Sequence, residues 1–303
     1  MTKTCIDING PWEFREYPET ARKMADLDEG RWLPTSHPES ILLSLAEAGI
    51  LRMEDVYACP EAFGWVARQA WLFRTVFDMG SQILSTDHID LVFEGLDTLT
   101  QIWLNDKKIG STENAFIAHR LDVGTAIRPG RNTLLIKFCP PQECAQQLIS
   151  KYGSPNEPSF CNPIRVFIRK PQCHFGSAMG PALLDCGITG PVRLERIPAA
   201  DLADIHVRTI DCNPRFADIR IAVSVRRFSA IGTPLQCRLT IPGAEQPQTH
   251  LIDLGTNDTH AAVIRIPNPR LWWPRGYGSP DLYTLQADLV AADQTLDCRQ
   301  QSF

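Results

Sequence analysis

The residues that could carry chemistry are few and scattered. Arg169, Lys170 and His174 share one short stretch, RVFIRKPQCHFG, from Arg165 to Gly176. A histidine there could shuttle a proton, but no acid stands near it in the sequence, so a neutral ring bonded to backbone is the reading its neighbours favour. Arg169 and Lys170 read either as a solvated edge or as a pair that orients the turn after them. Asp97 and Thr98 follow Gly95-Leu96 at a strand end, where short polar side chains hold turns by bonding nearby amides. Ten cysteines lie at positions 5, 59, 139, 144, 161, 173, 186, 212, 237 and 298. They form no C-x-x-C pair, and no histidine cluster joins them at zinc spacing, so free buried thiols and no metal site are expected. No G-x-S-x-G elbow, P-loop or G-x-G-x-x-G occurs, which removes the signatures of serine hydrolysis and of nucleotide binding. No cofactor is expected.

The elements that must position these residues are mostly strands. The chain has 303 residues, a net charge of −5, 44% hydrophobic and 21% charged residues. That composition supports packed cores in about two domains. A mildly acidic balance carries no footprint for nucleic acid and none for a membrane surface. Apolar runs fall well short of the ~20 residues that span a bilayer, and the opening MTKTCIDING has no secretory pattern, so a cytoplasmic location is expected. Proline outnumbers glycine, 23 to 19, which suits short strands joined by rigid turns.

One helix is expected over Pro38 to Leu51, where Ile41, Leu42, Leu45 and Ala48 recur at helical spacing and Gly49 closes the run. From Trp71 the period changes to two. Trp71–Asp78, His88–Leu96, Thr100–Asp106 and Asn132–Phe138 read as strands, with turns at Asn105-Asp106-Lys107 and Pro129-Gly130. Pro140 to Pro163 reads as a long irregular segment, Ile164 to Lys170 as a strand and Gly190 to Ile197 as a closing strand. Pro198-Ala199-Ala200 reads as a linker. From Asp201 onward, alternating strands suit an immunoglobulin-like sandwich. The expected fold class is all-β, with a sandwich over 1–197 and a second over 198–303 that could lack its last strand and so leave an open edge.

At this point a resemblance emerges. Trp65–Asp78, Leu91–Phe116 (LVFEGLDTLTQIWLNDKKIGSTENAF) and Arg128–Phe138 resemble the jelly-roll, galactose-binding-like domain of family 2 glycoside hydrolases, most of all the β-mannosidases. Arg165–Gly176 is similar to their strand-and-turn signature. Asn268–Leu285 (NPRLWWPRGYGSPDLYTL) looks like a stretch of their immunoglobulin-like domain. Beside the resemblance, Asn114 and Phe116 read as pinning a loop and filling the core, with a ligand-facing role as the alternative. Trp272 and Trp273, followed by Pro274, read as buried area at a domain junction, with sugar stacking as the alternative.

The resemblance also implies what to look for next. In this family two glutamates on a (β/α)₈ barrel cleave the glycosidic bond, about 5 Å apart in retaining enzymes. A barrel takes about 250 residues of alternating strand and helix, and no such alternation is visible here. The chain is therefore expected to be a non-catalytic N-terminal part, with a downstream barrel and a carbohydrate as its partners. Where β-mannosidases carry Trp-Asp-Trp in a sugar-facing loop, this sequence has Ser177, Ala178 and Met179 before Gly180-Pro181. Arg169, His174, Ser177, Ala178 and Met179 are the candidate sugar-facing residues. The lost carboxylate matters, since a hydrogen bond to a charged group contributes about 1.5–3 kcal/mol. Further on, Gly187-Ile188-Thr189 stands where the family has Gly-Ile-Trp. Sugar binding is accordingly expected to be weak or lost. A stand-alone carbohydrate-binding module and an inactive structural paralogue are the alternatives.

Overall fold

Period-two patterning becomes strand in most places where the sequence carries it. The computed structural model describes residues 2–8, 10–18, 30–56, 58–80, 88–154, 162–176, 180–228, 234–243 and 248–303. Its first half contains β1 (Thr4–Asp7), β2 (Trp12–Glu16), β3 (Leu33–Thr35), α1 (Ile41–Glu47), β4 (Trp71–Met79), β5 (His88–Phe93), β6 (Thr100–Leu104), β7 (Lys107–Thr112), β8 (His119–Asp122), β9 (Gly130–Phe138), α2 (Pro141–Tyr152) and β10 (Val192–Ile197). The second half contains β11 (Ala200–Asn213), β12 (Phe216–Arg227), β13 (Leu235–Ile241), β14 (Gln248–Asp253), β15 (Thr259–Pro267), β16 (Thr284–Ala291) and β17 (Gln294–Ser302). The chain divides into two units. One comprises Cys5–Ser85 and Ile89–Glu195; the other comprises Met1–Thr4, Thr86–His88 and Arg196–Phe303. The fold class is all-β, a jelly-roll sandwich followed by an immunoglobulin-like sandwich.

The jelly roll has a six-stranded sheet, β3-β2-β4-β9-β6-β7, and a four-stranded sheet, β1-β10-β5-β8. Alternate residues of each strand turn inward. Phe14, Phe73 and Phe138 come from three adjacent strands of the larger sheet and are at most 1% exposed. Phe73 stacks on Phe14 at 6.1 Å and meets Phe138 edge-on at 5.5 Å. Leu91, Phe93 and Leu194 face them within the same core. Each such side chain contributes roughly 1.5–3 kcal/mol by leaving water. The hairpin between β6 and β7 turns at Asn105, which takes φ 54°. Its side-chain amide donates to the Ala126 carbonyl and to Asn132 Oδ1.

The second unit has sheets β11-β12-β15 and β14-β13-β16-β17. Seven strands in two sheets is the immunoglobulin-like arrangement. Ile221, Val223, Leu239, Leu285 and Leu289 fill its core at 0% exposure. Ala292 and Asp293 both take positive φ between β16 and β17, as a two-residue hairpin turn requires. The first residues of the chain belong to this unit. Lys3 donates its amide to the Leu296 carbonyl at 2.7 Å, and Thr2 Oγ1 donates to the Thr295 carbonyl at 2.9 Å.

Four expectations are corrected. The thiols are not mostly buried: among the described cysteines Cys5, Cys59, Cys173, Cys212 and Cys298 are exposed and Cys237 is buried. Half of the segment read as irregular is α2, from Pro141 to Tyr152. Its proline at the first helical position removes only an amide that would have no partner there. The stretch read as a strand, Ile164 to Lys170, instead begins in a 3₁₀ turn, Pro163–Val166, capped by Asn162 accepting from the Ile164 amide. Trp272 and Trp273, read as buried, are 56% and 49% exposed. No helix among the described residues is long and apolar enough to cross a membrane.

Candidate functional site

Polar residues from distant parts of the jelly roll converge on one buried cluster. Two backbone runs build it. After β5 the chain passes through Gly95 to Asp97, and the run Gly187–Thr189 pairs against it. Asp97 and Gly187 exchange amide-to-carbonyl bonds of 2.9 and 3.2 Å, and the Thr189 amide donates to the Gly95 carbonyl at 3.1 Å. The same run bonds the entrance to α1, through the Ile188 amide to Pro38 and the Ile41 amide to Cys186. Contact this close needs glycine. A Cβ on Gly187 would lie 2.3 Å from the Glu39 carbonyl carbon and oxygen. Gly187→Ala is therefore expected to destabilise the fold by roughly 3 kcal/mol, the upper part of the range for overpacking. Gly80→Ala is the control, since a Cβ there meets nothing within 4 Å. Thermal melts of both variants check this; equal melting temperatures would contradict it.

Lys170 lies between the two runs, 2% exposed. Its ammonium donates to Asp97 Oδ2 and to the Asp185 carbonyl, both at 2.5 Å. Thr98 donates its hydroxyl to the other oxygen of Asp97. His174, on the 3₁₀ turn Gln172–Phe175, places Nδ1 3.5 Å from Asp97 Oδ2. That separation lacks hydrogen-bond geometry, and Nδ1 is buried with no hydrogen-bond partner among the described residues. Burial, and then the charge of Lys170, pull the His174 pKa below the ordinary imidazole value.

Asp185 anchors the start of α1. Its carboxylate accepts from Ser40 Oγ at 2.5 Å, from the Leu42 amide at 3.2 Å and from the Cys186 amide at 2.8 Å. Ser40 in turn caps the helix by accepting from the Leu43 amide at 3.1 Å. Burial pushes the Asp185 carboxyl up, and these bonds oppose the shift. The neighbouring Cys186 thiol is pushed well up, also by burial. It is therefore no thiolate nucleophile.

Each sequence candidate has its place. His174 is in the cluster, beside an acid that lies 77 positions earlier in the sequence, so the backbone-bonded reading of its ring is corrected. Lys170 is not a solvated edge but half of a buried ion pair. Arg169 is exposed, and its backbone bridges to Asn114 while its carbonyl accepts from the Ala115 amide. Asn114 pins its loop by accepting from the Phe116 amide at 2.9 Å. Phe116 does not fill the core, being 63% exposed. Ser177, Ala178 and Met179 lie outside the described residues. Asp185 and Ser40 were missed; neither belongs to a motif, and nothing local marks an acid that caps a helix 145 positions away.

Comparison with known proteins extends over both units. Residues 12–190 match the domain described as glycosyl hydrolase 2 galactose-binding domain-like. Residues 199–303 match the domain described as glycosyl hydrolases family 2. Beta-mannosidase B of Thermothelomyces thermophilus is 29% identical over 302 residues, which is 97% of this chain and 33% of that protein. Beta-mannosidase B of Aspergillus fumigatus is 30% identical over 291 residues, 94% of this chain and 33% of that protein. The crystal structure of β-D-mannosidase from Dictyoglomus thermophilum superposes with a TM-score of 0.84 at 29% identity, covering 99% of this chain and 36% of that one. An exo-chitosanase from Amycolatopsis orientalis shares the fold, with a TM-score of 0.67 at 17% identity. The chain thus spans about a third of the length of these β-mannosidases. With both of its sandwiches matched, the chain belongs to glycoside hydrolase family 2.

Proposed function

We propose that this chain forms the two non-catalytic β-domains of an enzyme that removes terminal β-mannosyl residues. The observation that carries the reading is the run of similarity to β-mannosidase B over 97% of this chain and one third of that protein. Physical chemistry supports the non-catalytic part. Retaining hydrolysis needs two carboxylates about 5 Å apart and free to act on a glycosidic bond. The two acids of the buried cluster are committed elsewhere. Asp97 holds Lys170 and Thr98, while Asp185 holds Ser40 and two amides.

In this reading the segment from His174 through Ser177, Ala178 and Met179 forms the sugar-facing loop, with Arg169 near its root. Lys170 and Asp185 hold the two ends of that loop. The purified chain is expected to release no nitrophenol from 4-nitrophenyl β-D-mannoside above a mock preparation. A chimera joining this chain to the remaining two thirds of the Thermothelomyces enzyme is expected to release it. Turnover by the chain alone, or a folded chimera that is inert, would count against the proposal.

A further inference from the structure

The connection between β15 and β16 is long, and its backbone is held in one shape. Residues 268–283 exceed the ~12–15 residues beyond which connections without strand or helix become uncommon and are often functional. The Trp273 amide donates to the Ser279 carbonyl at 2.9 Å, the Tyr277 amide to the Pro274 carbonyl at 3.0 Å and the Asn268 amide to the Arg215 carbonyl at 2.9 Å. The Arg270 amide donates to the Tyr283 hydroxyl at 2.8 Å. A Cβ on Gly278 would lie 2.8 Å from Cβ, Cγ and Cδ1 of Trp273, so backbone and ring are packed together. Yet the loop turns its largest side chains to solvent. Trp272, Tyr277 and Leu282 are 56%, 83% and 57% exposed, and Arg275 is exposed beside them in sequence. Exposed apolar clusters mark interaction sites. Tryptophan, tyrosine and arginine carry most of the energy at such sites, and a loop already fixed in shape loses little entropy on binding.

The place of Phe303 identifies the occupant. Tyr283 and Phe303 exchange amide-to-carbonyl bonds of 2.9 and 3.0 Å, and their rings stack at 5.8 Å. Phe303 therefore lies across from the residue that follows Leu282. In the reading above, the remaining two thirds of the enzyme continue from Phe303, and the inference rests on that reading. A body tethered there meets the loop at an effective concentration in the millimolar range. A free sugar or a second copy of the chain has no such advantage. Leu282 also offers a sugar neither a flat ring face nor a hydrogen bond.

We propose that the loop 268–283 is the seat of the catalytic part of the enzyme, which covers Trp272, Tyr277 and Leu282. The test is hydroxyl-radical footprinting of the free chain and of the folded chimera described above. Trp272 and Tyr277 are expected to oxidise about threefold more slowly in the chimera, as side chains from which an interface excludes water. Leu251, 56% exposed on β14, is the control and keeps its rate. Trp272→Ser combined with Tyr277→Ser is expected to leave the melting temperature of the free chain within about 2 °C of wild type, as exposed positions do. In the chimera the same pair is expected to shorten the half-life of thermal unfolding about fivefold. Release of nitrophenol by the chimera reports on the β-mannosidase reading separately, since footprinting and unfolding need only a folded protein. The docking proposal is overturned by undiminished oxidation of either aromatic, by an equal fall at Leu251, or by a chimera half-life that the double variant leaves unchanged. It is also overturned by three results on the free chain alone: a larger melting loss in the double variant, sedimentation as a dimer that the double variant abolishes, or tryptophan fluorescence that saturates with mannohexaose.

Discussion

Lys170→Met is expected to cost the jelly roll about 4 kcal/mol and to lower its melting temperature by roughly 10 °C. The methionine keeps the apolar stem but leaves Asp97, 3% exposed, as a buried carboxylate with no cation. Breaking a buried ion pair by removing one partner costs about 3–5 kcal/mol, most of it the stranded charge. A unit of this size shifts by about 2–4 °C per kcal/mol. The same substitution also frees the Asp185 carbonyl, loosening the run that carries Asp185 to α1. The double variant Lys170→Met with Asp97→Asn is expected to recover part of the loss, because no bare charge remains. Melting of the single variant within about 2 °C of wild type would show that the pair is neutral to stability. Recovery absent in the double variant would place the cost in packing instead.

A comparable effect is expected in the other unit from Asp201→Ala. Asp201 has a side chain that is 0% exposed. It accepts from Arg226 Nε and Nη2 at 2.9 and 2.6 Å and from Lys3 Nζ at 3.3 Å. Removing it takes from both cations their buried carboxylate, while Lys3 keeps Asp297 at 3.8 Å. Arg226 is 28% exposed and can regain water, so the loss is placed near the low end of that range, about 3 kcal/mol. Hydrogen exchange distinguishes this from general loosening. Amides of β11, β12 and β17 should lose protection while those of β4 and β9 keep theirs. Asp218→Ala is the contrast. Its pairing with Arg265 is also two-pronged, at 2.7 Å for both bonds, but Arg265 is 61% exposed. An exposed pair of this kind contributes little, and that variant should melt like wild type. Uniform loss of protection across both units would sink the assignment.

What could be read from the sequence was what depends on near neighbours. Alternation in WLFRTVFD and in ADIRIAVSVRRF marks β4 and β12, because a strand's two faces are decided two residues at a time. The helix at Ile41 was legible from its apolar spacing. The cluster was not, because Asp97 and Lys170 are 73 positions apart and only the folded backbone brings them together. Charge adjacent to charge in Arg169-Lys170 reads as surface in one dimension. In three dimensions one side chain of the two turns inward and the other outward, as alternation permits. The helix α2 was obscured by Pro140-Pro141, which looks like a break when it can equally begin a helix. Ile164 to Lys170 shows the converse error. Its alternation is real, but Pro163 and the Asn162 cap bend the chain into a turn first.

The hydrogen bonds of Thr2 and Lys3 to Thr295 and Leu296 set an order of events during synthesis. The strand that receives these residues is made almost three hundred residues after them. Asp201, which accepts from Lys3 Nζ, is made first, and the backbone pairing is completed only with β17. A nascent chain stalled after β10 would carry the strands of the jelly roll with Thr2 and Lys3 still awaiting the carbonyls of Thr295 and Leu296.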